Sequence, residues 1–377
     1  MEGYWKDDLV PYELSDLSRS VFATLGLSNA DDVLGLGKNP QLRECIFLVD
    51  GLGQNAIDNF ADKYVNIKNL FQHSQLQATF PSTTATSLTS LGTGRKPGEH
   101  GMVGYTMRVP HSGPPERLLN ALKWDERVDP LIWQPHETLF ERASREGISV
   151  SSVAAKRFEN TGFTRAALRG GEYLGSNSAD ELIDNAARGL KRERSFVYLY
   201  VNDVDEASHL EGFGSPRFHT ALTKVNDLIG RLQRELPRGT RLWVSADHGM
   251  VNREEICVIG KDNNLLTDVV LLGGEPRARY LYVTPENQEA IRKRWGEYFG
   301  EKISIYSRDE AISAGLFGAN VAVNVHERIG DLIVIAHGNL ILVEMERESH
   351  QSAMVGHHGG TSLAEIEIPL LMAACGD

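Results

Sequence analysis

Seven side chains, spread over some three hundred residues, carry the oxygen and imidazole groups that bind divalent cations: Asp50, Thr84, Asp205, His209, Asp247, His248 and His358. None of them is a thiolate, so the set suits zinc or manganese rather than an iron–sulfur cluster. Seven donors are enough for two metals with open positions, and a pair about 4 Å apart can stabilise attacking and leaving oxygens. Each residue alone has an ordinary structural explanation, but together they predict a two-metal site for displacement at phosphorus.

Thr84 is the predicted nucleophile, because a threonine hydroxyl beside a metal loses its proton near neutral pH. It lies in a hydroxyl-rich stretch, residues 78–104, where Pro81 and Ser82 suit a turn from a strand into a helix. A hydroxyl at a helix start faces unpaired backbone N–H groups and the positive end of the helix dipole. Such a position stabilises an alkoxide or a phosphate. The alternative is a simple N-cap.

The candidate acids follow apolar runs typical of buried strands. Asp50 follows Ile46–Val49, Asp205 follows Phe196–Val201, and Asp247 follows Leu242–Val244, while Ile148–Val153 runs into the cations Lys156 and Arg157. Helical patterns, residues 136–146 and Pro216–Leu236, alternate with these runs. The pattern predicts an α/β fold with a doubly wound, mostly parallel central sheet flanked by helices. Ligands of such sheets lie at the carboxyl ends of the strands.

Residues 268–344 differ in character and predict a small α+β cap inserted into the main sheet. Its expected strands are Arg279–Val283, Ile303–Tyr306, Leu332–Ala336 and Leu340–Glu344, with a helix over Pro285–Phe299 and a tight hairpin turn at Gly338-Asn339. The catalytic core would then comprise residues 1–267 and 345–377.

Composition limits the class of protein. The formal charge of −12 argues against a nucleic-acid scaffold, and no apolar run is long enough to cross a bilayer. The acidic first residues lack the pattern of a signal peptide, so we expect a cytoplasmic protein without membrane contact. Three cysteines among apolar residues indicate no disulfide framework. The oligomeric state is left open.

Five short segments, in order, resemble the alkaline phosphatase superfamily and most of all its type I phosphodiesterase/nucleotide pyrophosphatase family. They are VDGLG at 49–53, FPSTTATSLTSLGTGRKPGEHG at 80–101, DEASH at 205–209, SADHGM at 245–250 and HHGG at 357–360. The resemblance implies an alkaline phosphatase-like fold, a small phosphate-ester substrate and two divalent metal ions, with zinc favoured and manganese possible.

The resemblance also assigns roles by position. Asp205, His209 and His358 would hold one metal, and Asp50, Thr84, Asp247 and His248 the other. The family's P-[ST]-x-T pattern selects Thr84 as the nucleophile among the neighbouring hydroxyls. Asp203 is an alternative ligand to Asp205, but only Asp205 lies four residues before His209, as in the family's motif. His357 is an alternative to His358, but the His-Gly-Gly order of the motif favours His358.

The expected substrate contacts are Tyr105, Asn120 and Lys156. The nucleotide pyrophosphatases that this chain resembles have, at the position of Tyr105, an Asn that helps to bind phosphate. Asn120 is the candidate that would supply this amide group instead. Lys156 is the candidate cation. Hydrolysis of phosphodiesters through a phosphothreonine is the favoured reaction. The alternatives are a phosphonate or phosphomonoester hydrolase with the same site, a metal-binding homologue without turnover, and a phosphomutase, for which the cap is small.

Overall fold

The computed structural model describes residues 12–344 and 346–376, so the acidic first eleven residues lie outside the described part. The strands are β1 Arg43–Val49, β2 Phe71–Gln77, β3 Thr106–Val109, β4 Arg117–Asn120, β5 Ser149–Ala155, β6 Glu172–Ser176, β7 Ser195–Val201, β8 Thr240–Ser245, β9 Val251–Asn252, β10 Glu255–Val258, β11 Val269–Glu275, β12 Ala278–Val283, β13 Ile303–Ser307, β14 Leu332–Ala336, β15 Leu340–Val343, β16 Gly356–His357 and β17 Glu367–Ala374.

Helices alternate with these strands over most of the chain. They are α1 Leu14–Thr24, α2 Gln54–Phe60, α3 Val65–Lys68, α4 Thr84–Thr93, α5 Pro97–His100, α6 Pro130–Trp133, α7 Leu139–Arg145, α8 Gly162–Ala167, α9 Ala179–Gly189, α10 Asp203–Glu211, α11 Pro216–Glu235, α12 Gln288–Phe299, α13 Arg308–Ser313, α14 Val323–His326, α15 Ser349–Ala353 and α16 Leu363–Ile366. Short 3₁₀ turns cover Ala61–Lys63, Lys156–Phe158 and Gly300–Lys302.

The central sheet has seven strands in the order β2-β17-β8-β1-β7-β5-β6. Strands β8, β1, β7, β5 and β6 are mutually parallel, and β17 runs antiparallel between β8 and β2. The prediction of a mostly parallel α/β sheet flanked by helices is therefore confirmed. Strand β1 is buried from Glu44 to Val49, as expected for a central strand covered on both faces.

The parallel pairing brings the predicted acids to one edge. In register, Val49 lies opposite Val201 and Leu48 lies opposite Ser245, so Asp50 and the segments that follow β7 and β8 begin at the same level. The carboxyl ends of these three strands thus form the floor of one crevice, as open α/β sheets generally do.

Two predicted helices begin later than the sequence pattern indicated, because local hydrogen bonds at each N-terminus set the start. Helix α7 begins at Leu139, since the Thr138 hydroxyl accepts from the Glu141 N–H in a capping box. Helix α12 begins at Gln288, because residues 284–287 form a turn in which the Asn287 N–H donates to the Thr284 carbonyl at 3.1 Å. Helix α11 begins at Pro216 as predicted, with Ser215 as its N-cap.

The later part of the chain forms a second, antiparallel sheet in the order β11-β12-β14-β13. A turn does occur at Gly338-Asn339, but the predicted hairpin pairing is wrong. Strand β15 pairs in parallel with β10 and not with β14. Its main chain also contacts the segment before β12, where the Leu342 N–H donates to the Pro276 carbonyl at 2.9 Å. Two apolar runs separated by a short turn favour a hairpin, but here the second run forms its hydrogen bonds with the edge of a different strand, β10.

The antiparallel sheet is buried on both faces. Leu281 and Val283 pack with Trp295 of α12 in a separate apolar cluster, whereas Tyr280 and Tyr282, on the opposite face, belong to the main core. This alternation is the period of two expected for a strand. The smaller cluster also includes Ile259, which precedes residue 268.

Within the described residues, no helix is both long enough and apolar enough to span a bilayer.

Candidate functional site

Asp50 is fixed by the main chain where β1 ends. Its N–H donates to the Val201 carbonyl at 2.9 Å, and its carbonyl accepts from the Asp205 N–H at 3.1 Å, so β1 and α10 are joined at this point. The next residue must be glycine: Gly51 has φ +75°, and a Cβ there would lie 3.0 Å from the Asp205 Cα. This close approach places two candidate carboxylates side by side.

Thr84 and His248 meet in the crevice. The Thr84 Oγ1 lies 3.2 Å from the His248 Nε2, although the residues are 164 positions apart. Thr83, rather than Thr84, is the N-cap of α4, and its side chain makes no capping hydrogen bond. The Thr84 hydroxyl is therefore available at the first residue of the helix, which is the position predicted for a nucleophile.

A second group of donors lies beside the first. Asp205 and His209 are one turn apart on α10, with Asp205 Oδ1 at 3.2 Å from His209 Nε2, and His358 Nε2 lies 3.8 Å from the same carboxylate oxygen. The His248 and His358 rings stack with centroids 3.6 Å apart. All seven predicted ligands are thus brought into one crevice from five segments of the chain.

The three histidines have the same orientation. Each places Nδ1 against a main-chain carbonyl: His209 on Gly356 at 2.8 Å, His248 on Gly249 at 3.0 Å and His358 on Ser82 at 2.9 Å. A carbonyl can only accept, so Nδ1 carries a proton, and the Nε2 atom of each ring faces the crevice, where its lone pair is free once the ring is neutral. Metal-binding histidines are generally held in this way.

Three carboxylate oxygens of the predicted ligands are buried and accept no hydrogen bond: Asp50 Oδ1, Asp205 Oδ1 and Asp247 Oδ2. Each faces an imidazole nitrogen at 3.2 to 3.7 Å. Burial together with the Asp50 carboxylate raises the pKa of Asp247 to about 7. Buried acceptors without donors are rare in proteins and indicate a missing partner such as an ion. The residues present therefore fit divalent cations, with Asp205, His209 and His358 forming one compact donor group and Asp50, Asp205 and His248 another.

The two competing residues, Asp203 and His357, belong to neither donor group. Asp203 is exposed and pairs with Lys224 at 3.2 Å. His357 is buried and contacts the Met354 carbonyl through Nε2 at 3.3 Å, and its burial lowers its pKa to about 4. The structure thus places Asp205 and His358, rather than their neighbours, among the donors.

Two cavities meet at Thr84, and both are also lined by Leu122 and Asp205. The first, here called the aromatic cavity, measures about 180 Å³ and contains Phe158, Phe163, Tyr173, Tyr198 and Tyr200. The second, the polar cavity, measures about 330 Å³ and contains Tyr105, Lys123, His209, Glu275, Gln351 and His357. A group bound beside Thr84 can therefore extend in two directions into different surroundings.

The predicted substrate contacts are placed at different depths. Tyr105 lines the polar cavity, and burial raises its pKa while a hydrogen bond from Asn120 opposes the shift. The Asn120 Oδ1 accepts from the N–H groups of Leu122 and Lys123 at 3.1 and 2.9 Å. Asn120 thus shapes the turn behind Tyr105 and holds two cavity-lining residues.

Lys156 lies outside both cavities. It lines a neighbouring cleft with Arg157, Asn202 and Asp203, farther along the carboxyl edge of the sheet. The cation in the polar cavity is Lys123, which the sequence analysis missed because it follows the short strand β4, outside the strand–acid pattern. Tyr200 was also missed; its hydroxyl donates to Asp50 Oδ2.

A buried ion pair supports the loops that carry the ligands. Arg277 donates to both carboxylate oxygens of Glu365, from Nε at 3.0 Å and from Nη2 at 2.9 Å, and both side chains are fully buried. Glu365 also accepts from the Gly360 N–H at 2.8 Å, and its carbonyl accepts from the Gly249 N–H at 2.8 Å. Burial alone would raise the pKa of Glu365, but the Arg277 guanidinium lowers it, so the carboxylate is charged.

Replacing Arg277 with methionine should lower the free energy of unfolding by about 3–5 kcal/mol, because Glu365 would remain charged, buried and unpaired. Urea denaturation measures the change. The matched control is Lys293→Met, whose exposed pair with Glu297 at 3.7 Å should contribute less than about 1 kcal/mol. Adding Glu365→Leu to Arg277→Met should recover part of the loss; a double variant no more stable than Arg277→Met would contradict the explanation.

Comparisons with known proteins agree with this geometry. A sequence profile of type I phosphodiesterases/nucleotide pyrophosphatases matches residues 45–361. The solved structure of murine ectonucleotide pyrophosphatase/phosphodiesterase 5, an inactive threonine-to-alanine variant in complex with AMP, is similar with a TM-score of 0.67 at 14% identity, covering 87% of each chain. The human counterpart gives a TM-score of 0.64 at 15% identity, also covering 87% of each chain.

Phosphonoacetate hydrolase from Sinorhizobium meliloti 1021, solved in complex with phosphonoacetate, is similar with a TM-score of 0.64 at 18% identity, covering 89% of this chain and 90% of that chain. At these identities the solved structures show the fold alone. A comparison with curated protein sequences gave no match. The profile match covers most of the chain, including all seven candidate ligands, and the chain therefore belongs to the type I phosphodiesterase/nucleotide pyrophosphatase family of the alkaline phosphatase superfamily.

Proposed function

We propose that this protein hydrolyses phosphodiesters with Thr84 as the nucleophile and two divalent cations as cofactors. The observation that carries the proposal is the position of the Thr84 hydroxyl, 3.2 Å from the His248 Nε2, at the junction of two cavities and beside three carboxylate oxygens without donors. Family membership supports a hydrolase that acts on phosphate esters. The threonine-to-alanine change described as inactive in the murine structure agrees with the choice of nucleophile.

Asp205, His209 and His358 would hold one cation, and Asp50, Asp247, His248 and Thr84 the other. Oxygen and imidazole donors favour zinc, with manganese as the alternative. When bound, the cations supply positive charge that stabilises a phosphoryl transition state and lowers the pKa of nearby hydroxyl groups. The Nδ1 contacts of the three histidines hold their Nε2 atoms toward the cations.

The chain's own residues account for the covalent steps. Thr84 loses its hydroxyl proton to solvent, and its Oγ1 forms a bond to phosphorus while the bond from phosphorus to the first alcohol breaks; that alcoholate takes a proton from solvent. Water then attacks the phosphothreonine, the bond from Thr84 to phosphorus breaks, and a proton returns to the Thr84 oxygen. The N-terminal N–H groups of α4 lie beside the developing negative charge.

Two cavities at one nucleophile favour a diester over a monoester, because each ester arm gains a binding surface of its own. Bis-p-nitrophenyl phosphate should therefore be hydrolysed with a kcat/KM about tenfold or more above that of p-nitrophenyl phosphate. Release of p-nitrophenol from the metal-loaded protein measures both. A preference for the monoester, or cleavage of phosphonoacetate alone, would instead indicate the phosphomonoester or phosphonate reaction.

A further inference from the structure

Glu275 is a buried acid that packs against Gly359, where a Cβ would lie 2.6 Å from the Glu275 Cδ, and that interacts with the Thr83 side chain. It is the last residue of β11, it is 4% exposed, and its side chain lines the polar cavity. Its Oε1 accepts no hydrogen bond, and its Oε2 lies 4.0 Å from the His358 Nδ1, which is already engaged by the Ser82 carbonyl. Glu275 therefore presents a free acceptor to the cavity that opens beside Thr84.

Two neighbouring acids outside the predicted ligand set, the buried Glu365 and the half-buried Glu348, have arginine partners. Glu365 is paired with Arg277, and Glu348 receives the Arg279 Nη2 at 2.8 and 2.9 Å. A buried acceptor left without a donor costs free energy unless a ligand supplies one. Because the side chain borders an open cavity next to the proposed nucleophile, a substrate group is the donor that the position can admit.

We propose that Glu275 accepts a hydrogen bond from a hydroxyl group on one ester arm, so that the preferred substrate is a diester carrying a hydroxylated, polyol-like arm. This inference rests on the proposed phosphodiesterase function and specifies its substrate class. The hydroxylated arm occupies the polar cavity, and the second arm occupies the aromatic cavity.

A hydroxyl matches this cavity better than an ammonium group does. Lys123 lines the same cavity, and its positive charge disfavours a cationic arm. Tyr105 and Gln351 provide additional polar atoms on the walls, as a polyol requires. A volume of about 330 Å³ accommodates a short arm rather than a polymer.

The test compares three substrates with one leaving group and arms of equal length: the 2-hydroxyethyl, propyl and 2-aminoethyl esters of p-nitrophenyl phosphate. After subtraction of the enzyme-free rate, the metal-loaded protein should hydrolyse the hydroxyethyl ester with a kcat/KM about ten- to a hundredfold above that of the propyl ester. The aminoethyl ester should not exceed the propyl ester. Equal rates for the hydroxyethyl and propyl esters would overturn the inference while leaving the phosphodiesterase function intact.

Variants at Glu275 identify the acceptor. In Glu275→Leu the hydroxyethyl-to-propyl ratio should fall to about one, whereas Glu275→Gln, which retains a carbonyl oxygen, should keep a ratio above about threefold. Glu289→Leu removes an exposed acid of α12 and should leave the wild-type ratio unchanged. If Glu275→Leu lowers both rates in proportion, the residue only positions His358 and the inference is wrong. If the metal-loaded protein hydrolysed none of the three esters, the result would contradict both the proposed phosphodiesterase function and this inference.

Discussion

Replacing Thr84 with alanine should reduce kcat for bis-p-nitrophenyl phosphate by about 10⁴-fold or more, because the variant lacks the proposed nucleophile, the hydroxyl that lies 3.2 Å from the His248 Nε2. Stability should change little, since the lost contact is a single hydrogen bond worth about 1 kcal/mol. Stopped assays of p-nitrophenol release measure the rate, and metal analysis of the same sample shows whether the cations are retained.

Two variants make this result specific. Thr84→Ser restores a hydroxyl at the same position and should recover most of the activity. Thr86→Ala removes another buried hydroxyl of α4, which has no hydrogen-bond partner, and should leave kcat within about threefold of wild type. Turnover by Thr84→Ala at a tenth or more of the wild-type rate would exclude Thr84 as the nucleophile.

Removing the metals should abolish activity and lower Tm by about 5–10 °C. The physical reason is that Asp50, Asp205 and Asp247 each hold a buried oxygen without a donor, and these carboxylates repel one another when no cation lies between them. Dialysis against a chelator followed by differential scanning calorimetry measures the stability. Addition of zinc or manganese should restore both Tm and hydrolysis.

Asp203 and Asp205 provide a matched pair for this test, because they lie two residues apart on α10. Asp205→Asn should lose metal, whereas Asp203→Asn, which removes only an exposed contact with Lys224, should retain it. Equal metal content in the two variants would contradict the ligand assignment, and full activity of the chelated wild-type protein would contradict the requirement for metal.

Metal binding should also release protons. Burial lowers the pKa of His248, but the carboxylates of Asp247 and Asp50 outweigh burial and raise it to about 10. In the metal-free protein His248 is therefore protonated at neutral pH, and a cation must displace that proton. The apparent affinity for metal should rise with pH between about 7 and 10, and calorimetric titration in buffers of different ionisation enthalpy would detect the released protons.

The raised pKa of His248 also makes the stability of the metal-free protein depend on pH. The folded pKa of His248 lies above its ordinary value of 6.5, so its contribution to stability is complete below about 6.5 and is lost as the pH rises through about 10. The metal-loaded protein should lack this loss, because the cation replaces the proton. Unfolding experiments over this pH range with and without zinc separate the two cases.

The order of helices and strands was accessible from the sequence because its causes are local. Apolar runs such as Ile46–Val49, followed by a turn, favour strands buried on both faces, and acids that follow such strands are expected at the carboxyl edge of a parallel sheet. Thr84 opens a helix because of the turn that precedes it. The predicted hairpin at Gly338-Asn339 was wrong because the partner of a strand depends on segments that are distant in the sequence.

The sequence by itself determined which residue types were present for metal binding, the start of the helix at Thr84 and the class of the sheet, because spacing and periodicity act within a few residues. Only the tertiary structure decided which cations and acids face the nucleophile. Lys156 follows a strand yet lies in a neighbouring cleft. Lys123, in the turn after the short strand β4, and Glu275, at the end of a strand of the antiparallel sheet, line the polar cavity. The wall of a cavity is formed by segments far apart in the chain, so no local pattern specifies it.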